Sequence, residues 1–384
     1  VRTRQLPGVS PLVFSRFLLE KTAFLSLSDM GKALPSYEEI PIACRMDEAV
    51  QSEYKRIENA LVRVLRSDRR AAQKILSAYL NLLTVYPDQP YDQKPILYPD
   101  SDVPIVEPEN IGDADTLGEK ELRTLEIVRA AIQNGERALI YTSWVRTDSQ
   151  QKLKKLLADE GYRTEILTDK IKTTDREDWV QKKLAAGMQV LIVNPSLVET
   201  GLDLNAFTTL VFYSMGYKLF TLRQASRRSW RINQKAPAVK VYMLYYEDTM
   251  QQKCLKLMAS KLAVAGLIEG NFSEEGLAAM SDVQDMTSQM AKELMLGIRD
   301  NVEDIASAFR KMAFENPDRE VPEVPAEEAA LPLPAMIEQS KRVFTAEQEE
   351  KLQAAMVQLE QQKAKRTKKT QQVENQLSLF DSVA

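Results

Sequence analysis

Short β-branched runs alternate with amphipathic stretches from about Glu121 to Leu267. The period-2 segments predict strands at Arg137–Thr142, Arg163–Leu167, Gln189–Asn194, Thr208–Tyr213 and Val239–Tyr245. Between and after them, apolar residues at helical spacing predict helices at Ser149–Glu160, Asp175–Ala186, Leu219–Ile232 and Thr249–Leu267. This rhythm implies an α/β fold, a parallel sheet covered by helices on both faces. Ligands of such sheets sit at the carboxyl ends of the strands, which directs attention to Ser143-Trp144, Asn194 to Asp203, and Ser214 onward.

The flanks read differently. Met46–Leu83 places Tyr54, Ile57, Leu61, Leu65, Ile75, Tyr79 and Leu82 at helical spacing, a helical lead-in. Prolines and aspartates cluster without periodicity from Tyr86 to Gly118, which marks a long loop. Asn271–Phe314 predicts further helix, Asn316–Pro334 a linker, Met336–Lys365 a polar helix, and Lys363–Lys369 a basic patch before a disordered tail. The expected organisation is a lead-in and loop at 1–120, an α/β domain at 121–268, a helical extension at 269–315, and a linker, helix and tail at 316–384.

Composition narrows the chemistry. The chain of 384 residues contains no histidine, so histidine-dependent metal sites, Ser-His-Asp triads and Cys-His dyads are excluded. Chemistry falls to Asp, Glu, Lys, Arg or a bound metal, and no metal-ligand set is assigned. Cys44 and Cys254 lie far apart without CxxC spacing, as expected of buried thiols. No run of 18 apolar residues exists and the opening Val1-Arg2-Thr3-Arg4 lacks a signal-peptide core, so a cytoplasmic location without membrane attachment is expected. A net charge of -4 argues against bulk electrostatic attachment to DNA, leaving basic residues to act locally.

One local cluster stands out in Gln224–Gln234. Arg228 follows Gln224 by four residues and Arg231 by seven, so a continuous helix places all three on one face. Two guanidinium groups on such a face suit the charge that develops on a transferring phosphoryl group, an arginine finger. The alternative is an exposed basic helix face. Arg223 and Arg227 flank the cluster and fit either a nucleic-acid backbone or solvent. Trp144 and Trp230 read as packing residues.

These motifs resemble the second RecA-like domain of superfamily 2 helicases, nearest to Swi/Snf-type DNA translocases, over roughly residues 30 to 268. Gln224, Ala225, Arg228, Arg231, Ile232 and Gln234 fall on the pattern of that family's sixth motif, with Asn233 in place of its glycine. Glu199-Thr200-Gly201-Leu202-Asp203-Leu204 is similar to the fifth motif and Ala138–Trp144 to the fourth, while Leu34-Pro35 through Gln51–Tyr54 is similar to the link between motor lobes. Tyr217–Phe220 departs from the Swi/Snf pattern. The resemblance implies catalytic roles for Gln224, Arg228 and Arg231, nucleotide contacts for Gly201, Asp203 and Glu199, and DNA contacts for Thr200, Ser143 and Arg176, a solvated Arg176 being the alternative. ATP with Mg is the implied cofactor. The sequence has no GxxxxGK[ST], and its one Gly-Lys pair, Gly31-Lys32, is followed by Ala33, so a first motor lobe upstream or on another polypeptide is the expected partner.

The tail carries a second signal. Gln376-Leu377-Ser378-Leu379-Phe380 resembles the pentapeptide that docks bacterial replication and repair proteins on the β sliding clamp, which also points to a bacterial or mobile-element origin. A tail folded back on the body is the alternative. Two functional readings therefore stand: the C-terminal portion of an ATP-dependent DNA helicase or translocase, or a non-catalytic module that binds DNA and clamp. A dinucleotide-binding enzyme is disfavoured because no GxGxxG follows a strand.

Overall fold

The computed structural model describes residues 34–144, 148–198, 202–216 and 219–268. Glu199, Thr200, Gly201, Gly31-Lys32, the helices expected at Asn271–Phe314 and Met336–Lys365, and the Gln376–Phe380 tail lie outside the described residues. The chain groups into two compact units. One, residues 30–259 with 284–324, holds the sheet; the other, 1–29, 260–283 and 325–384, holds only the end of the last helix among the described residues.

Six strands form one fully parallel sheet: β1 (Ser36–Cys44), β4 (Ala138–Tyr141), β5 (Thr164–Leu167), β6 (Val190–Val193), β7 (Thr209–Phe212) and β8 (Ala238–Tyr246), in the order β1-β8-β7-β4-β6-β5. Three of the four interior strands, β4, β6 and β7, with sequences ALIY, VLIV and TLVF, are buried at every position, as a sheet covered on both faces requires. Five of the six were expected, each within two residues of its observed ends. The helices are α1 (Glu48–Ser67), α2 (Arg69–Val85), α3 (Glu119–Gln133), α4 (Ser149–Asp159), α5 (Arg176–Ala185), α6 (Leu219–Ser226) and α7 (Met250–Ile268), and a two-strand hairpin, β2 (Ile96–Leu97) with β3 (Pro104–Val106), rises within the long loop.

One sheet face packs Ile140, Val190, Ile192 and Val211 against Val128 of α3 and Leu153 and Leu157 of α4. Toward the other face, Tyr141 lies 4.6 Å from the Phe212 ring and its hydroxyl donates to the Ala225 carbonyl at 3.1 Å, which fixes α6 there. The α5-to-β6 turn needs Gly187, whose φ of +88° is left-handed and whose missing Cβ leaves room for the Arg163 guanidinium.

Tertiary context overrides the sequence expectation at two places, and a local cap adds detail at a third. Ser36–Cys44 was not expected as a strand, yet it pairs with β8 from Ser36↔Ala238 to Cys44↔Tyr246. It lies at the sheet edge, where the proline at 41 is tolerated because one side of the strand needs no ladder bonds. The expected Leu219–Ile232 helix ends at Ser226, where distant partners draw the chain out of its helical path. The helical lead-in is two helices, broken at Asp68, whose carboxylate accepts from the amides of Arg70 and Ala71 at 3.0 Å each.

Buried charges lock the lead-in onto the sheet. Lys120 is 0% exposed; its ammonium sits 2.7 Å from Asp88 Oδ1 and 2.9 Å from Gln251 Oε1, over the rings of Tyr213 and Tyr246. Its neighbour Glu121 pairs with Lys152 at 2.7 Å and accepts from the Tyr213 hydroxyl at 2.9 Å. Among the described residues, no helix is long and apolar enough to cross a membrane.

Candidate functional site

The carboxyl ends of β4, β6 and β7 are tied together by short polar side chains. The Ser143 amide donates to Ser214 Oγ at 2.9 Å, Ser143 Oγ donates to the Ser214 carbonyl at 3.0 Å, and Asn194 Nδ2 donates to the Ser143 carbonyl at 3.1 Å. Asn194 also caps the following 3-10 turn, accepting from the Ser196 amide at 2.9 Å. Beside this lattice opens a cleft of about 380 Å³ that Trp144, Asn194, Phe212, Met215 and Leu222 help to line. Ser143 is thus placed where a ligand of a parallel sheet would approach. Arg176 is placed differently: its Nε donates to the Ile171 carbonyl at 3.2 Å and its Nη1 to the Leu197 carbonyl at 2.8 Å, so it braces the two loops.

The stretches around Asp203 and Gln234 are joined side chain to backbone. Asp203 Oδ1 accepts from the Asn205 amide at 3.0 Å, and Asn205 Nδ2 donates to Asn233 Oδ1 at 2.9 Å. Gln234 Nε2 donates to the carbonyls of Asn205 and Ser229, at 2.9 and 3.0 Å, while Ser229 Oγ donates to the Leu204 carbonyl at 3.0 Å. Asn194 and Ser214 begin segments that the sequence placed at strand ends, whereas Asn205 was not singled out.

The end of α6 at Ser226 has a local and a distant cause. Ser226 Oγ donates to the Arg223 carbonyl at 3.2 Å, and the backbone continues in i to i-3 turns, Arg228 to Ala225 and Trp230 to Arg227. Short hydroxyl side chains compete for helical carbonyls, and the buried Trp230 and Ser229 gain tertiary partners that a straight helix would withhold from them. The indole N–H of Trp230 donates to the Pro35 carbonyl at 2.7 Å, and its ring lies 4.9 Å from that of Tyr37. Gln224, Arg228 and Arg231 therefore do not share one helix face. Gln224 is exposed, Arg228 is 9% exposed, and Arg231 is half-buried. The positive charge of Arg228 reaches the Tyr141 phenol, whose pKa burial pushes far above its ordinary value while Arg228 draws it down. Arg231 makes no side-chain hydrogen bond or ion pair among the described residues.

Behind this loop stands a buried carboxyl. The Tyr37 hydroxyl donates to Glu39, which is 6% exposed, and the Arg227 guanidinium stands 5.9 Å from the Tyr37 ring and 5.4 Å from the Trp230 ring. Burial raises the Glu39 pKa; the Tyr37 hydrogen bond and the charges of Arg227 and Arg223 pull it back only in part. Both cysteines are buried, and burial lifts the Cys44 thiol to about 12.

Residues 120–233 match the family model described as helicase conserved C-terminal domain. No curated protein matches the chain. Among solved structures, the Sulfolobus solfataricus SWI2/SNF2 ATPase core in complex with dsDNA is similar at 19% identity over 65% of this chain and 51% of that one, TM-score 0.44. The C-terminal domain of that Sulfolobus solfataricus ATPase is 16% identical over 65% of this chain and 100% of that one, TM-score 0.43. The C-terminal part of the Fun30 ATPase domain is 13% identical over 68% and 97%, TM-score 0.44. The parallel six-stranded sheet flanked by helices is a RecA-like fold, and residues 120–233 within it resemble helicase C-terminal domains.

Proposed function

We propose that the chain contributes the second lobe of an ATP-dependent DNA helicase or translocase. The observation that carries the reading is Arg231: a half-buried guanidinium with no hydrogen-bond or ion-pair partner among the described residues, set on a loop bonded to the Asp203 stretch. An unneutralised cation on a braced loop fits a phosphate, because little reorganisation is needed when negative charge arrives. ATP, when bound with Mg, supplies the free energy of phosphoryl transfer. The phosphate loop and Mg ligands are assigned to the other lobe, since the sequence has no GxxxxGK[ST].

In this reading Arg231 meets the phosphates directly and the buried Arg228 supports the turn and adds positive potential. Asp203, oriented by Asn205, faces the ribose, with Glu199 and Gly201 on the same segment. Gln224 stands exposed at the entrance. DNA runs over the strand ends near Ser143, Thr200 being a further contact implied by its motif, and the Gln376–Phe380 tail tethers the protein to a β sliding clamp in the cytoplasm.

The test is DNA-stimulated ATP hydrolysis by the protein carrying a first lobe, in cis or supplied in trans. Arg231→Ala lowers turnover about a thousandfold or more. The chain by itself shows negligible turnover against an ordinary range of about 1 to 1,000 per second. Unchanged hydrolysis in Arg231→Ala sinks the assignment and leaves the non-catalytic binding module as the better account.

A further inference from the structure

Edge strand β1 lies outside the residues that match the helicase model, yet it supplies one wall of the Arg231 loop. Pro35 accepts the Trp230 indole N–H, Tyr37 stacks on Trp230, and Arg227 stands over both rings. The Tyr37 hydroxyl is held by Glu39, whose other oxygen, Oε2, is buried without a hydrogen-bond partner. Ser226, at the end of α6, and the positive charges of Arg227 and Arg223 also act on this carboxyl, which ties it to the start of the Arg231 loop. On the loop's far side Ser229 and Gln234 hold the Asp203 stretch. Trp230 is therefore anchored between two walls, and Arg231 is the next residue along the chain.

We propose that Tyr37 and Glu39 are positioning residues for Arg231: the edge strand fixes Arg227 and Trp230, and through them the place at which the free guanidinium is presented. Glu39 orients the Tyr37 ring by accepting its hydroxyl hydrogen bond, and that ring then packs against Trp230 with the Arg227 guanidinium over both. Loss of either group leaves the sheet intact but lets the loop sample several positions. A reacting group misplaced by even about 1 Å loses much of its effect on a transition state. The role in turnover rests on the phosphate reading of Arg231, whereas the anchoring itself does not.

A thiol reporter separates the two. The only native cysteines, Cys44 and Cys254, are buried, so Arg231→Cys in this chain adds the single accessible thiol among the described residues. Adding Glu39→Gln or Tyr37→Phe should raise its rate of modification by a disulfide reagent about fivefold, the opening expected from one lost buried hydrogen bond. Glu38→Gln, an exposed neighbour on the same strand, should not. Melting should stay cooperative in each. Rates at position 231 unaltered by both Glu39→Gln and Tyr37→Phe overturn the proposal. With a first lobe present, Tyr37→Phe should lower kcat while leaving KM for ATP nearly unchanged, the pattern of a contact realised in the transition state; a loss confined to KM also overturns it. Hydrolysis indifferent to Arg231→Ala, with the thiol result as expected, removes the phosphate reading and leaves the anchoring in place.

Discussion

Arg228 and Arg231 look alike in sequence, and replacing each by alanine in this chain should separate them by stability. Arg228 is 9% exposed and Arg231 half-buried. Truncating Arg228 to Cβ removes roughly two methylene groups from a packed setting, at about 0.8 kcal/mol each, plus the interactions of a buried guanidinium, for which about 1 kcal/mol is a fair net figure. Relief from burying a cation offsets part of this, so Arg228→Ala should destabilise by about 2 kcal/mol. For a unit of this size each kcal/mol lowers the melting temperature by about 2 to 4 °C, giving a drop of roughly 4 to 8 °C. Arg231→Ala, a half-exposed side chain with no partner among the described residues, should stay within about 0.5 kcal/mol, or under about 2 °C. Circular dichroism melts of both variants at one pH decide the matter. Equal drops, or a larger one for Arg231→Ala, refute the burial argument and make any activity loss at 231 uninterpretable as chemistry.

Three further outcomes are expected. Lys120→Met strands Asp88 as an uncompensated buried carboxyl and should destabilise by about 3 to 5 kcal/mol, with Asp88→Asn in the same chain recovering a good part; urea denaturation checks both. The raised Glu39 pKa means that the folded state holds this proton more tightly, so its contribution to stability is fully present below the ordinary carboxyl pKa and is lost as pH rises through the raised value; the stability of wild type relative to Glu39→Gln should decline across that window, and a flat difference in melts taken from about pH 4.5 upward refutes it. A peptide covering Val373–Ala384 should bind purified β clamp with roughly micromolar affinity, and isothermal titration should show no heat once Leu379 and Phe380 are both replaced by alanine.

The sequence by itself determined the parallel sheet. Runs such as VLIV at 190–193 and TLVF at 209–212 are apolar at every position, which a strand covered on both faces demands, and the helical periods between them leave parallel crossovers as the economical connection. It also anticipated the two buried thiols. Tertiary structure alone decided β1, whose sequence SYEEIPIAC carries two glutamates and a proline that argue locally against a strand; it forms because β8, some 200 positions later, offers it an open edge. The end of α6 was settled in part at a distance. A periodicity argument sees Gln224, Arg228 and Arg231 on one face because it knows only local geometry, whereas Pro35, Tyr37 and Leu204 turn the chain at Ser226 by drawing in Trp230 and Ser229. Burial of Lys120 against Asp88 and Gln251 joins residues from three separate parts of the chain, and no window along the sequence contains all three partners.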